Sequence, residues 1–225
     1  SMGRNANLAS QNLTQEIQVW HPLYPHSSTC CRGLFAHFQP SFVFNPLKRK
    51  MVTKKLAQQT VCTQFHPTPC GELILASMDN ALCLCDWKGM PCAERNLRRM
   101  ERYVNAKFST ASSPVLEQTK QQLDEYFSGR RKEFDIPLHP VGTDFQLQVW
   151  RALLHIPYGE TRSYKEIAKM MGNEKAVRAV AHAIGANGID ILIPCHRVVG
   201  SNHALTGFAG GLDRKEHLLK LEGHL

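Results

Sequence analysis

The first readable pattern along the chain is an alternation of apolar and polar positions between residues 60 and 87. Three short runs of this kind, separated by turn-forming residues, predict three β-strands at 60–65, 72–77 and 81–87. Helical spacing follows and predicts two helices, over 95–105 and 114–127. This part of the chain therefore predicts an α+β unit.

Helical spacing dominates beyond residue 143. Thr143 is a predicted N-cap for a helix over 144–155. Two shorter helices, one over 163–171 and one reaching about residue 186, flank a turn at Gly172 and Asn173. Two short helices joined by a glycine-containing turn are typical of a helix-turn-helix, although an ordinary helical hairpin fits the same pattern.

These patterns divide the chain into four segments. Residues 1–55 show no sustained periodicity, and we expect an extension that is poorly ordered or was added for expression. We expect an α+β domain over 56–130, a linker over 131–142 and a helix-turn-helix domain over 143–225. Because no signal peptide or long apolar run is evident, we expect no membrane contact and a cytoplasmic location, or a nuclear one in a eukaryote.

The charge balance favours a polyanionic partner. Lys and Arg total 27 against 19 acidic residues, which gives a formal charge of +8 and a pI near 9.2. A generally basic surface without a specific ligand would give the same balance. The cysteines form no paired framework for zinc, and we expect core filling by the five in the α+β unit, Cys62, Cys70, Cys83, Cys85 and Cys92.

The candidate nucleophile is Cys195, in the sequence Leu-Ile-Pro-Cys-His-Arg-Val-Val at 192–199. A thiol reacts well only as the thiolate, and its usual pKa of about 8.5 requires an activating group. His196 is the nearest base, but adjacent side chains in an extended segment point to opposite faces, so contact needs a bend or a bridging water. Simple burial of a structural cysteine is the alternative.

The second helix of the predicted pair has a surface of small side chains around one long cation, Arg178. Small side chains allow close approach of a backbone, and a single arginine suits entry into a groove, so we expect minor-groove docking with weak sequence specificity. Tight packing inside a core is the alternative for these small residues, which are Ala176, Val177, Ala179, Val180, Ala181 and Ala183.

The run Pro194-Cys195-His196-Arg197-Val198, with Asn187 before it and the tail at 210–216 after it, closely resembles the O6-alkylguanine-DNA alkyltransferase family. The resemblance covers about 143–224, and 60–130 looks like the more variable amino-terminal domain of that family. It implies an α/β protein in which a ribonuclease-H-like α+β domain precedes a mostly helical, winged helix-turn-helix-like domain.

The resemblance implies direct-reversal DNA repair. An alkyl group moves irreversibly from O6 of guanine in double-stranded DNA to Cys195, with O4-alkylthymine as a second substrate left open, and no cofactor is needed. The implied relay runs from Glu222 through His196 and a water to the thiol, while Asn187 ties the preceding turn to the active-site loop. Without the resemblance, Glu222 is a solvated carboxylate at a helix end and Asn187 is a helix C-cap.

The resemblance also implies that the damaged base is flipped out of the duplex. Arg178 would fill the vacated space, on the face formed with Ala176, Val177, Ala179 and Ala181. Tyr164 would rotate the nucleotide and donate to the base, unless it is simply a packing residue. The implied base-binding groups are the backbone of Cys195 and Val198, the amide of Ala209, and Phe208, which stands where many relatives carry tyrosine.

The chain departs from the family pattern at two places. The zinc-binding residues of human-type members have no equivalents here, so we expect no metal, and Ala209 replaces a serine of some members. We expect a monomer. The alternatives to repair are a non-catalytic module that flags alkylated DNA, against which Cys195 argues, and a cysteine hydrolase, for which no oxyanion-binding device is evident.

Overall fold

The computed structural model describes residues 57–202 and 204–224. The expected extension at 1–55 lies outside the described residues. No described helix is both long and apolar enough to cross a membrane. The described residues also contain no cluster of three or more His, Cys, Asp or Glu side chains suited to a metal ion.

The amino-terminal half is built on a four-stranded sheet. The three predicted strands are confirmed as β1 (Gln59–Thr68), β2 (Gly71–Met78) and β3 (Ala81–Trp87), which pair antiparallel in sequence order. A fourth strand, β4 (Ala106–Thr110), pairs parallel to β1 and places the order at β3-β2-β1-β4. The sequence analysis missed β4, because its five residues are mostly exposed and show no clear alternation.

Two helices cover this sheet. Helix α1 (Pro91–Val104) begins four residues before the predicted start at 95, since Pro91 occupies the first helical turn, where its missing N–H is not needed. Helix α2 (Pro114–Phe127) has the predicted bounds, and the side chain of Ser113 caps it. All seven residues of β3 are buried, so both of its faces and not one alone belong to the core. Cys83, Cys85 and Cys92 are buried, whereas Cys62 and Cys70 are half-buried.

The outer edge of β3 does not pair with another strand of the sheet. Two segments of the chain are hydrogen-bonded to it. The N–H of Leu82 donates to the Pro137 carbonyl at 2.8 Å, and the segment at 131–142, expected to be a linker, packs here through buried Ile136 and Leu138. Further along the same edge, the Cys85 N–H donates to the Gly188 carbonyl at 2.9 Å. The loop that leads to Cys195 is therefore anchored on the amino-terminal sheet.

The carboxy-terminal half is mostly helical. It contains α3 (Asp144–Leu153), α4 (Tyr164–Met170), α5 (Val177–Ile184) and α6 (Leu212–Leu221), with a small parallel pair formed by β5 (Arg162–Ser163) and β6 (Val198–Val199). Thr143 caps α3, as predicted, and forms a capping box with Gln146, but the helix ends at 153 and not at 155. Ser163 caps α4 in the same way. A 3₁₀ turn, Glu174–Ala176, precedes α5.

Candidate active site

Cys195 lies in a succession of tight turns and not in an extended strand. The Leu192 N–H donates to the Asp190 carbonyl at 2.9 Å, and the Cys195 N–H donates to the Ile193 carbonyl at 2.7 Å. Cys195 then opens a 3₁₀ turn that ends at Arg197. Ile191 has a φ of +72°, which costs a β-branched residue about 1–3 kcal/mol. Contacts from the rest of the molecule must offset this strain.

Asn187 supplies several of those contacts. Its buried amide donates to the Cys195 sulfur at 3.2 Å and to the Ile193 carbonyl at 3.0 Å, while its Oδ1 accepts from the Ile189 N–H at 3.0 Å. The Asn187 side chain is therefore buried against the Cys195 sulfur. A residue that acted only as a helix C-cap would have its side chain at the surface.

Asp190 is the residue that sequence analysis missed. Its Oδ1 lies 3.1 Å from the Cys195 sulfur, and the carboxyl group is fully buried. The signal for it in the sequence was slight: one acidic residue within the apolar run that precedes the cysteine. An aspartate in such a run is exceptional, because a buried carboxyl group requires compensating partners.

Glu222 is buried and fully bonded, so its interpretation as a solvated helix-end carboxylate is wrong. His196 Nε2 lies 2.9 Å from Oε1, and Arg197 donates from Nε to Oε2 at 2.8 Å and from Nη2 to Oε1 at 2.9 Å. The hydroxyl of Tyr126, on α2, donates to Oε1 at 2.7 Å. Burial alone would raise the pKa of Glu222, but the hydrogen bonds from His196 and Arg197 hold it well below its usual range.

His196 is placed to accept a proton. Burial lowers its pKa despite the opposing effect of Glu222, so the ring is neutral at pH 7. With the Nε2 proton directed at Glu222, Nδ1 keeps a free lone pair. Nδ1 is buried and makes no hydrogen bond to any residue of 57–202 or 204–224. His196 can therefore accept a proton at Nδ1.

The Cys195 thiol is neutral in this environment, although a thiol reacts well only as the thiolate. The side chain is 4% exposed, and burial raises its pKa well above the usual value, as would a negative charge on Asp190. Asn187 and Lys215 act in the opposite direction. Formation of the thiolate therefore requires a base that takes up the thiol proton.

Lys215, which lies in the tail at 210–216, is a second residue whose placement the sequence did not reveal. Its ammonium group is buried and donates to the Thr206 carbonyl at 2.7 Å and to the Val198 carbonyl. Burial lowers its pKa to about 8. The Val198 N–H donates to the Cys195 carbonyl, so the two backbone groups expected to bind the guanine edge already have partners within the fold.

The surface of α5 agrees in part with the expected docking face. Arg178 and Ala179 are exposed, and Ala176, Val177 and Ala181 are half-buried. Val180 and Ala183 belong to the core, which corrects their assignment to this surface, because α5 packs that side against α3. His182 is exposed on the same helix and was not predicted.

The segment at 204–210 faces α4. The Tyr164 hydroxyl lies 3.1 Å from the carbonyl oxygens of both Thr206 and Gly207, and the tyrosine is half-buried. Phe208 is also half-buried and packs on the main core, while the Ala209 carbonyl accepts from the Cys92 thiol at 3.4 Å. Gly207 has a φ of +53°, and a Cβ there would lie 2.9 Å from the Tyr164 hydroxyl, so glycine is required at this contact.

Comparisons with known proteins match both halves of the chain. Residues 61–140 match the model of the 6-O-methylguanine DNA methyltransferase ribonuclease-like domain, and residues 144–224 match the model of the DNA-binding domain of the same proteins. A methylated-DNA–protein-cysteine methyltransferase of Methanosarcina barkeri is 48% identical over 156 residues, which are 69% of this chain and 92% of the relative.

Solved structures give the same result. The crystal structure of Mycobacterium tuberculosis O6-methylguanine methyltransferase is similar with a TM-score of 0.62 and 40% identity, over 72% of this chain and 92% of that one. The structure of Mycobacterium tuberculosis OGT in complex with DNA has a TM-score of 0.61 at 40% identity, over the same shares of the two chains. These matches confirm the expected order of a ribonuclease-like domain followed by a helical DNA-binding domain.

Proposed function

The chain belongs to the 6-O-methylguanine DNA methyltransferase family and has methylated-DNA–protein-cysteine methyltransferase activity, and on this premise we propose that Cys195 is the cysteine that takes the alkyl group. The activity is repair by direct reversal, and DNA is its partner. The observation that carries the assignment is the position of the Cys195 sulfur, 3.2 Å from the Asn187 amide in the turn that leads directly into the His196–Glu222 pair.

In the proposed mechanism, Glu222 orients His196 and stabilises its protonated form. The thiol proton passes to Nδ1 of His196 through a water, which suits a buried ring nitrogen with an available lone pair. Sulfur then attacks the alkyl carbon, the S–C bond forms, and the C–O6 bond breaks with its electron pair going to guanine. The base takes up one proton at N1, which balances the proton released by the thiol. The thioether has no easy route back, so each protein molecule reacts once.

The proposed lesion is O6-alkylguanine in double-stranded DNA. A buried sulfur reaches O6 only if the nucleotide leaves the stack, so we propose base flipping with the helix α5 docked in the minor groove. The exposed position of Arg178 and the small side chains around it support this mode of docking. Tyr164, close to the 206–208 segment, is proposed to guide the flipped base. We also propose that the protein acts as a monomer and in the cell compartment that holds the DNA.

Intact-protein mass spectrometry tests the proposal. The protein is mixed with a duplex that carries one O6-methylguanine, and we expect one methyl group per protein, located on Cys195 by peptide mapping, in a burst whose size equals the protein concentration. Tight binding without a mass change would instead support the non-catalytic flagging module. A parallel duplex with O4-methylthymine decides whether that lesion is also a substrate.

A further inference from the structure

We infer that Asp190 is a further catalytic residue, whose carboxyl group stays protonated and donates a hydrogen bond to the Cys195 sulfur when that sulfur is ionised. This inference rests on the proposed role of Cys195 as the nucleophile. It starts from the 3.1 Å distance between Asp190 Oδ1 and the sulfur, which makes Asp190 a direct neighbour of the reacting atom. The backbone of Asp190 is held on β3, because its N–H donates to the Cys85 carbonyl at 2.7 Å.

The hydrogen-bonding capacity of Asn187 limits the possible charge states. Its amide nitrogen has two protons but three acceptors: the Ile193 carbonyl at 3.0 Å, the Cys195 sulfur at 3.2 Å and Asp190 Oδ1 at 3.3 Å. One proton serves Ile193, so the other is shared between the sulfur and Asp190. Once the sulfur is ionised it draws this proton, and an ionised Asp190 would then face a second anion without a good donor. A protonated Asp190 removes this conflict.

A second buried carboxyl group, Asp86, has more donors than Asp190. Asp86 accepts from the Trp87 N–H at 2.8 Å, from the Asn96 amide at 2.6 Å and from the Cys92 thiol at 3.3 Å. Asp190 Oδ2 is buried with no hydrogen bond of ordinary geometry to any described residue. Burial also raises the pKa of Asp86, but its three donors oppose this effect. Of two neighbouring carboxyl groups, the one with more donors carries the charge, so we assign the charge to Asp86 and the proton to Asp190.

The surrounding charges agree with this assignment. Burial and the neighbouring Asp86 raise the pKa of Asp190 well above its usual value, against the opposing effects of Cys195, the Trp87 side chain and Arg95. In the described part of the chain, no Lys, Arg or His forms an ion pair with Asp190. The ammonium group of Lys215 favours the thiolate.

The Asp190 proton is not consumed in the reaction. The thiol proton goes to His196, and Asp190 O–H and Asn187 N–H both donate to the sulfur as its negative charge forms. The S–C bond then forms as the C–O6 bond breaks, and Asp190 keeps its proton beside the neutral thioether. The role of Asp190 is therefore to stabilise the charged sulfur without adding a charge of its own.

Alkylation of Cys195 by iodoacetamide tests the inference without DNA. The rate is measured against pH by peptide mass spectrometry in wild type, Asp190→Asn, Asp190→Ala and the control Ile189→Val, a buried neighbour in the same loop. We expect Asp190→Ala to slow alkylation about tenfold at neutral pH and to raise the apparent pKa of the thiol by about one unit, since a hydrogen bond to a charged group is lost. Asp190→Asn keeps an N–H donor, and we expect its rate to stay within about threefold of wild type, as in the control.

The opposite results would overturn the inference. Faster alkylation in both Asp190 variants would mean that Asp190 is an anion that suppresses the thiolate, and an unchanged rate in Asp190→Ala would mean that the sulfur makes no use of it. If Asp190→Ala does not fold, infrared difference spectra of wild type against Asp190→Asn decide: a lost C=O stretch of a protonated acid supports the inference, and lost carboxylate bands contradict it. Methyl transfer from DNA by wild type tests the proposed function separately.

Discussion

The proposed reaction centre and the proposed docking face are built in opposite ways. The reaction centre, formed by Asn187, Asp190, Cys195, His196 and Glu222, is buried, and its groups are bonded to residues as distant as Tyr126. The docking face, formed by Ala176, Val177, Arg178, Ala179 and Ala181, comes from one helix and the turn before it, and is exposed or half-buried. In-line transfer needs atoms held to fractions of an ångström, whereas backbone contacts with DNA need charge and close approach. Replacements in one region should therefore change methyl transfer or DNA docking without changing the other.

The replacement Cys195→Ser should have the largest effect on the chemistry and little on docking. The hydroxyl is a far weaker nucleophile, so we expect methyl transfer to be undetectable, while affinity for a lesion-containing duplex stays within about twofold. Mass spectrometry and fluorescence anisotropy measure the two properties. Cys62→Ser, at a half-buried cysteine of β1, is the matched control and should react as wild type does. Methyl transfer to the serine variant would contradict the assignment of the nucleophile.

The replacement Glu222→Gln should destabilise the reaction centre strongly. It leaves the buried guanidinium of Arg197 without its ion pair, and we expect a loss of about 3–5 kcal/mol in the free energy of unfolding, measured with urea. The surface pair formed by Lys88 and Glu72 offers the control, since Glu72→Gln should cost less than about 1 kcal/mol. Equal losses in the two variants would mean that the buried ion pair contributes no more to the free energy of unfolding than the surface pair.

The same replacement should change how stability depends on pH. The pKa of Glu222 is lower in the folded protein than its usual value of 4.5, so the unfolded chain takes up this proton first on acidification. The stabilisation is complete above pH 4.5 and is lost as the pH falls below it. We therefore expect wild type to lose more stability than Glu222→Gln between about pH 5 and pH 3, and parallel curves would contradict the assigned charge.

The replacement Arg178→Ala should affect the docking face and spare the chemistry. We expect transfer from duplex DNA to slow about tenfold, because the vacated space in the stack is no longer filled, with little change in the reaction with free O6-methylguanine. Duplex affinity should also fall as salt rises, with a slightly smaller slope in the variant. Equal slowing on duplex and free base would remove the proposed role in flipping.

The replacement Tyr126→Phe should have the smallest effect. It removes one buried donor to Glu222 but leaves the ring packing intact, and we expect a loss of about 1 kcal/mol in the free energy of unfolding. Thermal unfolding followed by circular dichroism measures it. Tyr103→Phe, at an exposed tyrosine of α1, should be neutral. A neutral result for both would show that the contribution of α2 to the reaction centre is packing alone.

Much of the fold was predictable from local patterns. Alternation predicted β1 to β3, and Thr143 marked the start of α3, because strand periodicity and helix caps depend on residues only a few positions apart. The strand β4 and the true start of α1 were missed, since the first depends on pairing with β1 and the second on a proline whose effect depends on position.

For the active site, the sequence by itself determined which residue types are present and which of them are neighbours: a cysteine beside a histidine and an arginine, and a helix with one exposed arginine among small residues. The tertiary structure decided which groups touch the sulfur and which charges are compensated. Glu222 meets His196 across 26 residues and Tyr126 across 96, and Asp190 lies near Asp86 only because the loop docks on the edge of β3. Burial and donors supplied from distant segments set the protonation of a carboxyl group, and local sequence carries neither.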